Sequence, residues 1–417
     1  MLSFIIRRSL YGFTVLLGVV TLVFFLFGLV PDPARELAGQ SESEEIVQAI
    51  RVKYNLDLPL HQRFLLFVND VSPISLYSKI EGHRRKAPSP RFVSLLETEN
   101  EEVVLKKPYL GRSFLTDRPV GDILFEAFPG TMVLALTAMA FALLLGIFLG
   151  VYAALNEGQA IDRSLLFISS LGMSGPSFFM AILVAWIGGF LLHSEVNISL
   201  WPVVLPSIMV IGLITIQKFE LKRAIRSKWT SRSLLLGLLL WVAAAVVPGV
   251  PALGLKLPGT GLNMNGSLYS VDVWTGQRLA LKNLILPALT LGIRPLAVIT
   301  QLMRNSVLEV MQLEYVRTAY AKGLSHTKVI LNHVIRNAMN PVITAASGWL
   351  ASMLAGAVFV EFVFGWKGMG LEVFRSLEKN DLPVVMGSVM VIASIFVVIN
   401  TVVDILYAWV DPRVRIV

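Results

Sequence analysis

Residues 315–341 read YVRTAYAKGLSHTKVILNHVIRNAMNP, a polar stretch of helical pattern set between two long apolar runs. Residues 315–322 contain no helix breaker, and Gly323 follows where a glycine closes a helix. Ser325 suits the N-cap of a second helix over about 326–339. With a helical period, Ile330, Leu331, Val334, Ile335 and Ala338 fall on one arc. Asn332, His333, Arg336, Asn337 and Asn340 fall on the opposite arc, with Val329 the exception. Pro341 ends this helix or kinks it into the next apolar run. The pattern is a short helix, a glycine corner and an amphipathic helix held beside a membrane. Such an element suits docking to another protein, and periodicity alone allows equally a helix lying among lipid headgroups.

The residue types separate those two readings. Tyr315, the run Thr318-Ala319-Tyr320-Ala321-Lys322-Gly323-Leu324 and the run His333-Val334-Ile335-Arg336-Asn337-Ala338 with Pro341 follow one another without a gap. The stretch resembles the cytoplasmic coupling loop of binding-protein-dependent ABC importer permeases, in the form carried by the dipeptide/oligopeptide/nickel branch. Tyr320 stands where that branch usually has arginine, and Ile335 where it has leucine. Further marks of the same family are Asn55-Leu56-Asp57-Leu58-Pro59, Gly111-Arg112-Ser113, Pro119-Val120 and Asn305-Ser306-Val307-Leu308-Glu309-Val310. Others are Ala355-Gly356-Ala357, Glu361, Phe364, Gly368-Met369-Gly370, Asp381 with Pro383, and Asn400, Asp404 and Asp411-Pro412-Arg413. The resemblance covers residues 1–70, 110–190 and 280–417, and leaves segments near 73–106 and 200–255 unmatched.

Composition agrees with a membrane protein. Hydrophobic residues make up 55% of the chain and charged residues 15%, against roughly 25% charged in soluble domains. There is no cysteine, which excludes disulfides and thiolate metal sites. Residues 9–30 form an apolar run behind Arg7 and Arg8, too long for a signal-peptide core and without a small-residue cleavage site. It reads as a first spanning helix with a cytoplasmic N-terminus. Further apolar runs cover 131–154, 165–192, 200–216, 234–255, 284–303, 342–364 and 384–409. Eight spans return the C-terminus to the cytoplasm. In that arrangement sixteen lysines and arginines fall on inner segments and six on short outer loops, as the positive-inside rule requires. The formal charge of +8 is then mostly topological, and nucleic acid is not an implied partner.

The expected fold is therefore an all-α membrane protein: a six-helix importer-permease core plus an inserted hairpin, with an extracytoplasmic region after the first helix. Residues 1–30 are the N-terminal anchor helix and 31–129 the extracytoplasmic region. Within it, 73–106 looks inserted and reads as a disordered surface loop, with a contact surface for an external partner as the alternative. Core spans occupy 130–192, the added transmembrane hairpin 193–256, and the remaining core 257–417, with the coupling loop at 304–340.

No phosphate-cradling glycine loop, nucleophile elbow or zinc-protease motif occurs, and the five histidines lack metal-ligand spacing. No catalytic and no metal-binding residue is expected in this chain. The resemblance implies that ATP and Mg are bound by two cytoplasmic ATP-binding subunits. It also implies a second permease subunit, an extracytoplasmic solute-binding protein and a place in the cytoplasmic (inner) membrane, with transport by alternating access. For ATPase coupling it singles out Arg317, Thr318, Ala319, Lys322, Gly323, His333, Arg336 and Asn337. Ala319 would permit close approach, Gly323 make the corner, and Lys322, His333 and Arg336 offer polar contacts. An ion-gradient-driven secondary carrier is the alternative, although the internal repeats and midplane carboxylate pairs of such carriers are not seen. A non-transporting membrane scaffold would leave the coupling loop unexplained. Arg294, midway along 284–303 and followed by Pro295, is a candidate for the substrate pathway, facing a cavity and attracting an anionic part of the solute. A structural pair with a carboxylate or with freed carbonyls is the other possibility.

Overall fold

The computed structural model describes residues 2–28, 33–38, 43–78, 92–97, 101–194, 196–199, 205–208, 210–211, 232–233, 235–236, 254–257, 259–272 and 276–410. The chain divides into two compact units, Met1–Ile182 with Asn265–Val417, and Leu183–Met264. Chain order gives α1 (Leu2–Gly28), α2 (Pro33–Ala38), α3 (Glu44–Lys53), α4 (Leu60–Val71), β1 (Ile74–Ser78), β2 (Phe92–Glu97) and β3 (Glu101–Lys106). Then come α5 (Val120–Leu155), α6 (Ala160–Ser174), α7 (Ser177–Trp186) running into a π-turn at Ile187–Leu191, β4 (Val196–Ser199), β5 (Gly254–Leu257), β6 (Tyr269–Asp272) and β7 (Gly276–Leu279). The last third is helical: α8 (Lys282–Met311), α9 (Glu314–Ala321), α10 (His326–Val329), α11 (Arg336–Gly356), α12 (Val358–Phe364), α13 (Met369–Glu378) and α14 (Leu382–Val410).

The core of the first unit is the pair α5 and α8. Leu134, Ala135, Ala138 and Ala142 of α5 and Ile299, Met303 and Val307 of α8 are fully buried. The helices run parallel, since Gly146 faces Ile299 and Gly150 faces Met303. Gly146 and Gly150 form a small-xxx-small step that lets two backbones approach. A Cβ on Gly150 would lie 2.6 Å from the Met303 Cβ and 2.7 Å from the Thr300 carbonyl oxygen. α1 packs on α14, and α11 packs on both α8 and α14.

Among the described residues three helices are long and apolar enough to cross a membrane: Val120–Leu155, Lys282–Met311 and Leu382–Val403. Two bent pairs raise the number to five if each is one span. The run expected over 165–192 is one of them, broken by 111° between Ala160–Ser174 and Ser177–Leu191. The reason is local: Gly175 precedes Pro176 and is extended at φ −71°, ψ 133°, as the ring of a following proline demands. The other pair, His326–Leu354 and Val358–Phe364, bends by 57°. Pro341 does not end its helix but lies inside α11. The apolar part of α1 is the shorter stretch Leu10–Leu26.

Of the hairpin expected over 200–255, helix is described only at 205–208, 210–211, 232–233 and 235–236; most of the rest lies outside the described residues. Its flanks are clear. β4 and β5 pair antiparallel, with Val196 opposite Leu257 and Ser199 opposite Gly254. Gly254 and Leu255, expected as the end of a spanning run, are therefore strand.

Where it is described, the segment near 73–106 differs from the disordered loop expected of it. β1, β3 and β2 form a three-stranded antiparallel sheet in that order. The strands are short, and β2 is bulged between Ser94 and Leu96, which breaks the two-residue alternation that would reveal it. Buried Lys106 ties the sheet to α4. Its Nζ donates to the Asp70 carbonyl oxygen at 2.9 Å and to the Tyr77 hydroxyl, with the Asp70 carboxylate 3.7 Å away. Burial pushes the Asp70 carboxyl up and the Lys106 ammonium down, and their mutual attraction opposes both shifts.

Two polar ties join segments remote in sequence. The Asp381 carboxylate, at the start of α14, accepts from the Ser113 hydroxyl at 2.5 Å and the Phe114 N–H at 2.9 Å. Fully buried Glu361, on α12, accepts from the Thr131 hydroxyl of α5 at 2.7 Å and from the Leu371 N–H at 3.0 Å. The second donor belongs to the first turn of α13, where free N–H groups and the helix dipole favour a carboxylate. A Cβ on Gly368 would stand 2.4 Å from the Glu361 oxygens, so glycine makes room for them. The Thr131 oxygen also accepts from the Met369 N–H at 2.8 Å, and Trp366 Nε1 donates to the Gly130 carbonyl at 2.9 Å. Thr131→Val keeps the shape and removes both bonds. It should cost about 1–3 kcal/mol, read as a lowered unfolding temperature of the purified protein, while Thr131→Ser should stay near the unaltered value. Equal melting of all three would show that the hydroxyl carries no strain of this network.

Candidate functional site

The corner at 312–341 is built from the end of α8 outward. Leu313 is extended, and Glu314 opens α9 with an acid in the first turn. Arg317 pairs with Glu314 one turn away at 2.9 Å, both exposed, and the Thr318 hydroxyl bonds back to the Glu314 carbonyl. Val316 and Ala319 are buried. Ala319 thus fits α9 against its own chain.

α9 then closes on a glycine. The Gly323 N–H reaches the Tyr320 carbonyl at 2.9 Å and the Leu324 N–H reaches the Ala319 carbonyl at 3.3 Å, the double bond of a Schellman cap. Gly323 has φ +79°, and a Cβ there would meet nothing within 4 Å. The position demands glycine for its backbone angle and not for lack of space. Ser325 is extended as an N-cap should be, and its carbonyl takes the Val329 N–H at 3.0 Å, but its side chain forms no cap bond.

From His326 the helix passes through a π-turn at Ile330–Ile335 into α11. This extra residue per turn rotates the apolar face. Val329, Ile330, Val334, Ala338 and Val342 are buried, whereas Leu331 is 58% exposed. The exception on the expected arc, Val329, is thus in the core, and Leu331 is outside it.

The two limbs of the corner are tied across. Asn337 Nδ2 donates to the Tyr315 hydroxyl at 2.9 Å and to the His333 carbonyl at 2.8 Å. The Tyr320 hydroxyl lies 2.8 Å from His326 Nδ1. Asn337, expected among the coupling residues, makes this internal tie and is itself exposed. His333 is half-buried, and Lys322, Lys328 and Arg336 are exposed with Arg317. The corner is thus held from within and presents a cationic outer face. Its Tyr315–Asn337 tie, between side chains 22 residues apart, has no signature in periodicity; the tyrosine and asparagine of the motif were its only trace.

Arg294 lies far from this corner, midway along α8. Its side chain is exposed in this chain, and it forms no ion pair among the described residues. Pro295 beside it is buried.

A family model described as "Binding-protein-dependent transport system inner membrane component" matches residues 146–416, and the N-terminal model of the same system matches residues 1–88. The chain belongs to this family. It is 32% identical over 418 residues to the di/tripeptide transport system permease protein DppB of Pseudomonas aeruginosa, covering 100% of this chain and 99% of that one. To the probable D,D-dipeptide transport system permease protein DdpB of Escherichia coli K12 it is 31% identical, over 98% of this chain and 97% of that one. To the glutathione transport system permease protein GsiC of Escherichia coli O6:H1 it is 28% identical, over 100% and 99%. Family membership and the apolar helices make it a multi-pass inner-membrane protein. The ion-gradient carrier is left without support, because the family works with a binding protein.

Gly323→Val should cost roughly 1–2 kcal/mol at the left-handed corner, leaving the protein in the membrane while abolishing binding-protein-dependent uptake. Gly323→Asn, which tolerates that backbone region better, should keep much of it. Uptake per inserted protein in membrane vesicles measures both; normal uptake by the valine variant would show that the corner can be reshaped without consequence.

Proposed function

We propose that this chain is one of two permease subunits in an ATP-driven importer of small peptides. The relatives are named for di/tripeptides, D,D-dipeptides and glutathione, solutes that share a free carboxylate. An extracytoplasmic binding protein delivers the solute. Two cytoplasmic ATPase subunits, which hold ATP and Mg, grip the corners at 312–341 of this chain and of a second permease. Their closure moves the corners and switches the cavity between outward and inward access, a two-state change biased by differential contacts.

The observation that carries this reading is the corner itself: limbs locked together by Tyr315 and Asn337, with Arg317, Lys322, Lys328 and Arg336 turned outward. A rigid, charged knob transmits a push; a loose headgroup-lying helix does not. Uptake should persist when the membrane potential is collapsed at constant ATP, and uptake that stops under those conditions would overturn the reading.

In this reading both termini are cytoplasmic and the chain crosses the membrane eight times. The β4–β5 ladder keeps both ends of 200–253 on one side of the membrane, which accords with two crossings in that segment as it does with none. A cysteine in place of Ser227, in a chain that has none, should react with a membrane-impermeant thiol reagent from the cytoplasmic side alone. Labelling from outside would leave six crossings and an external insert.

Arg294 completes the proposal as a pathway residue. An arginine near the centre of a span costs roughly 2.5–3.5 kcal/mol on insertion scales, and it is about 15 Å from either end of its run at ~1.5 Å per residue. Exposure without a carboxylate partner among the described residues fits a cavity that receives the carboxylate of a peptide. Arg294→Gln should weaken transport of peptides with a free carboxylate and spare amidated ones, as measured in competition for uptake. Equal slowing of both, or reduced membrane accumulation, would make the arginine structural.

A further inference from the structure

At the cytoplasmic end of the proposed topology, one buried ion pair joins two elements that no motif connects. Asp162 is in the first turn of α6, and its carboxylate accepts from the Gly158 N–H at 2.9 Å, closing the turn that follows α5. The same carboxylate takes Arg304 of α8 in a two-pronged grip, Nε to Oδ1 at 2.6 Å and Nη2 to Oδ2 at 2.7 Å. The side chains are 3% and 15% exposed. Arg304 stands seven residues before the end of α8 at Met311, roughly 10 Å along the axis, directly at the root of the corner.

Two features suggest more than stability. A buried ion pair is a weak device for stability alone, since apolar replacements of similar volume often do as well; a planar guanidinium on a carboxylate fixes orientation. Elsewhere α6 meets α8 smoothly, with Gly172 against the side chains of Ile293 and Ala297. Such a contact permits sliding, so the fork at Asp162 is what fixes the register of α6 on α8.

We propose that Asp162 and Arg304 are positioning residues through which displacement of the corner at 312–341 is passed to the turn between α5 and α6. This rests on the reading of that corner as the ATPase contact. Without the pair, the corner and α8 move while α6 lags, and hydrolysis is no longer converted into a change of access.

The test uses the assembled transporter in proteoliposomes, with its binding protein, a labelled dipeptide and ATP. Asp162→Asn keeps the size and an acceptor for Gly158 but loses the charge. It should lower peptide transported per ATP hydrolysed by about tenfold, within the range of single-residue coupling effects, while hydrolysis continues. Arg304→Lys, which keeps charge without the fork, should fall between, and the exchanged pair Asp162→Arg with Arg304→Asp should recover part of the ratio. An unchanged ratio in Asp162→Asn, or transport and hydrolysis falling in proportion, would overturn the proposal. A cysteine at Lys322 separates this from failure of the underlying reading. If it cross-links to an ATPase subunit while Asp162→Asn keeps the normal ratio, the pair is not the link; if no cross-link forms, the corner is not the contact and the proposal falls with it.

Discussion

The Glu361 carboxylate has no access to solvent, and a charge or acid so placed must be met by donors or it unfolds its surroundings. Those donors come from Thr131 on α5 and from the first turn of α13. One side chain thereby fixes where three elements meet, and the turn between α12 and α13 is drawn down until Trp366 bonds the Gly130 carbonyl. This matters more in a membrane than it would in water. Lipid is as apolar as the helix faces, so apolar contact alone does not drive one span onto another or choose its register. Ser113 with Asp381 and Asp162 with Arg304 repeat the solution. Polar ties near helix ends set the register, and close-packed glycine steps such as Gly146 and Gly150 fill the middle.

That division suits a transporter that must change shape. Smooth apolar stretches between spans allow small sliding and rocking, whereas the tied ends move as units. Arg294 breaks the rule, a cation without a partner among the described residues in the middle of a smooth helix. The corner at 312–341 obeys it, being tied internally by Asn337 and Tyr315 and rooted in α8.

What the sequence made legible follows from how far each feature reaches along the chain. The glycine corner is local: a breaker-free run, Gly323 and a cap position are enough, and the left-handed backbone at Gly323 agrees with them. The long apolar spans at α5, α8 and α14 are local too. The π-turn at Ile330–Ile335 was not, because it involves no proline or glycine and shows only as Val329 being out of phase. The bend at Gly175-Pro176 had a visible cause, yet the apolar run on either side concealed it. The strands of 73–106 were hidden by charge and by the bulge in β2. Least legible were the ties. Asp162 and Arg304 are 142 positions apart, and Thr131 and Glu361 are 230 apart; in composition they register only as charges or as motif letters.

Ser199 and Gly254 face one another across a ladder, about 5 Å apart. Everything from 200 to 253 therefore departs from the chain and rejoins it at one doorway. The entropy of closing a loop grows only with the logarithm of its length, so the number of residues beyond that doorway is nearly free to drift. A two-residue turn would suffice to seal it. The ladder is thus a graft point, where a lineage can lengthen, trim or exchange a whole segment while the strands that frame it stay paired.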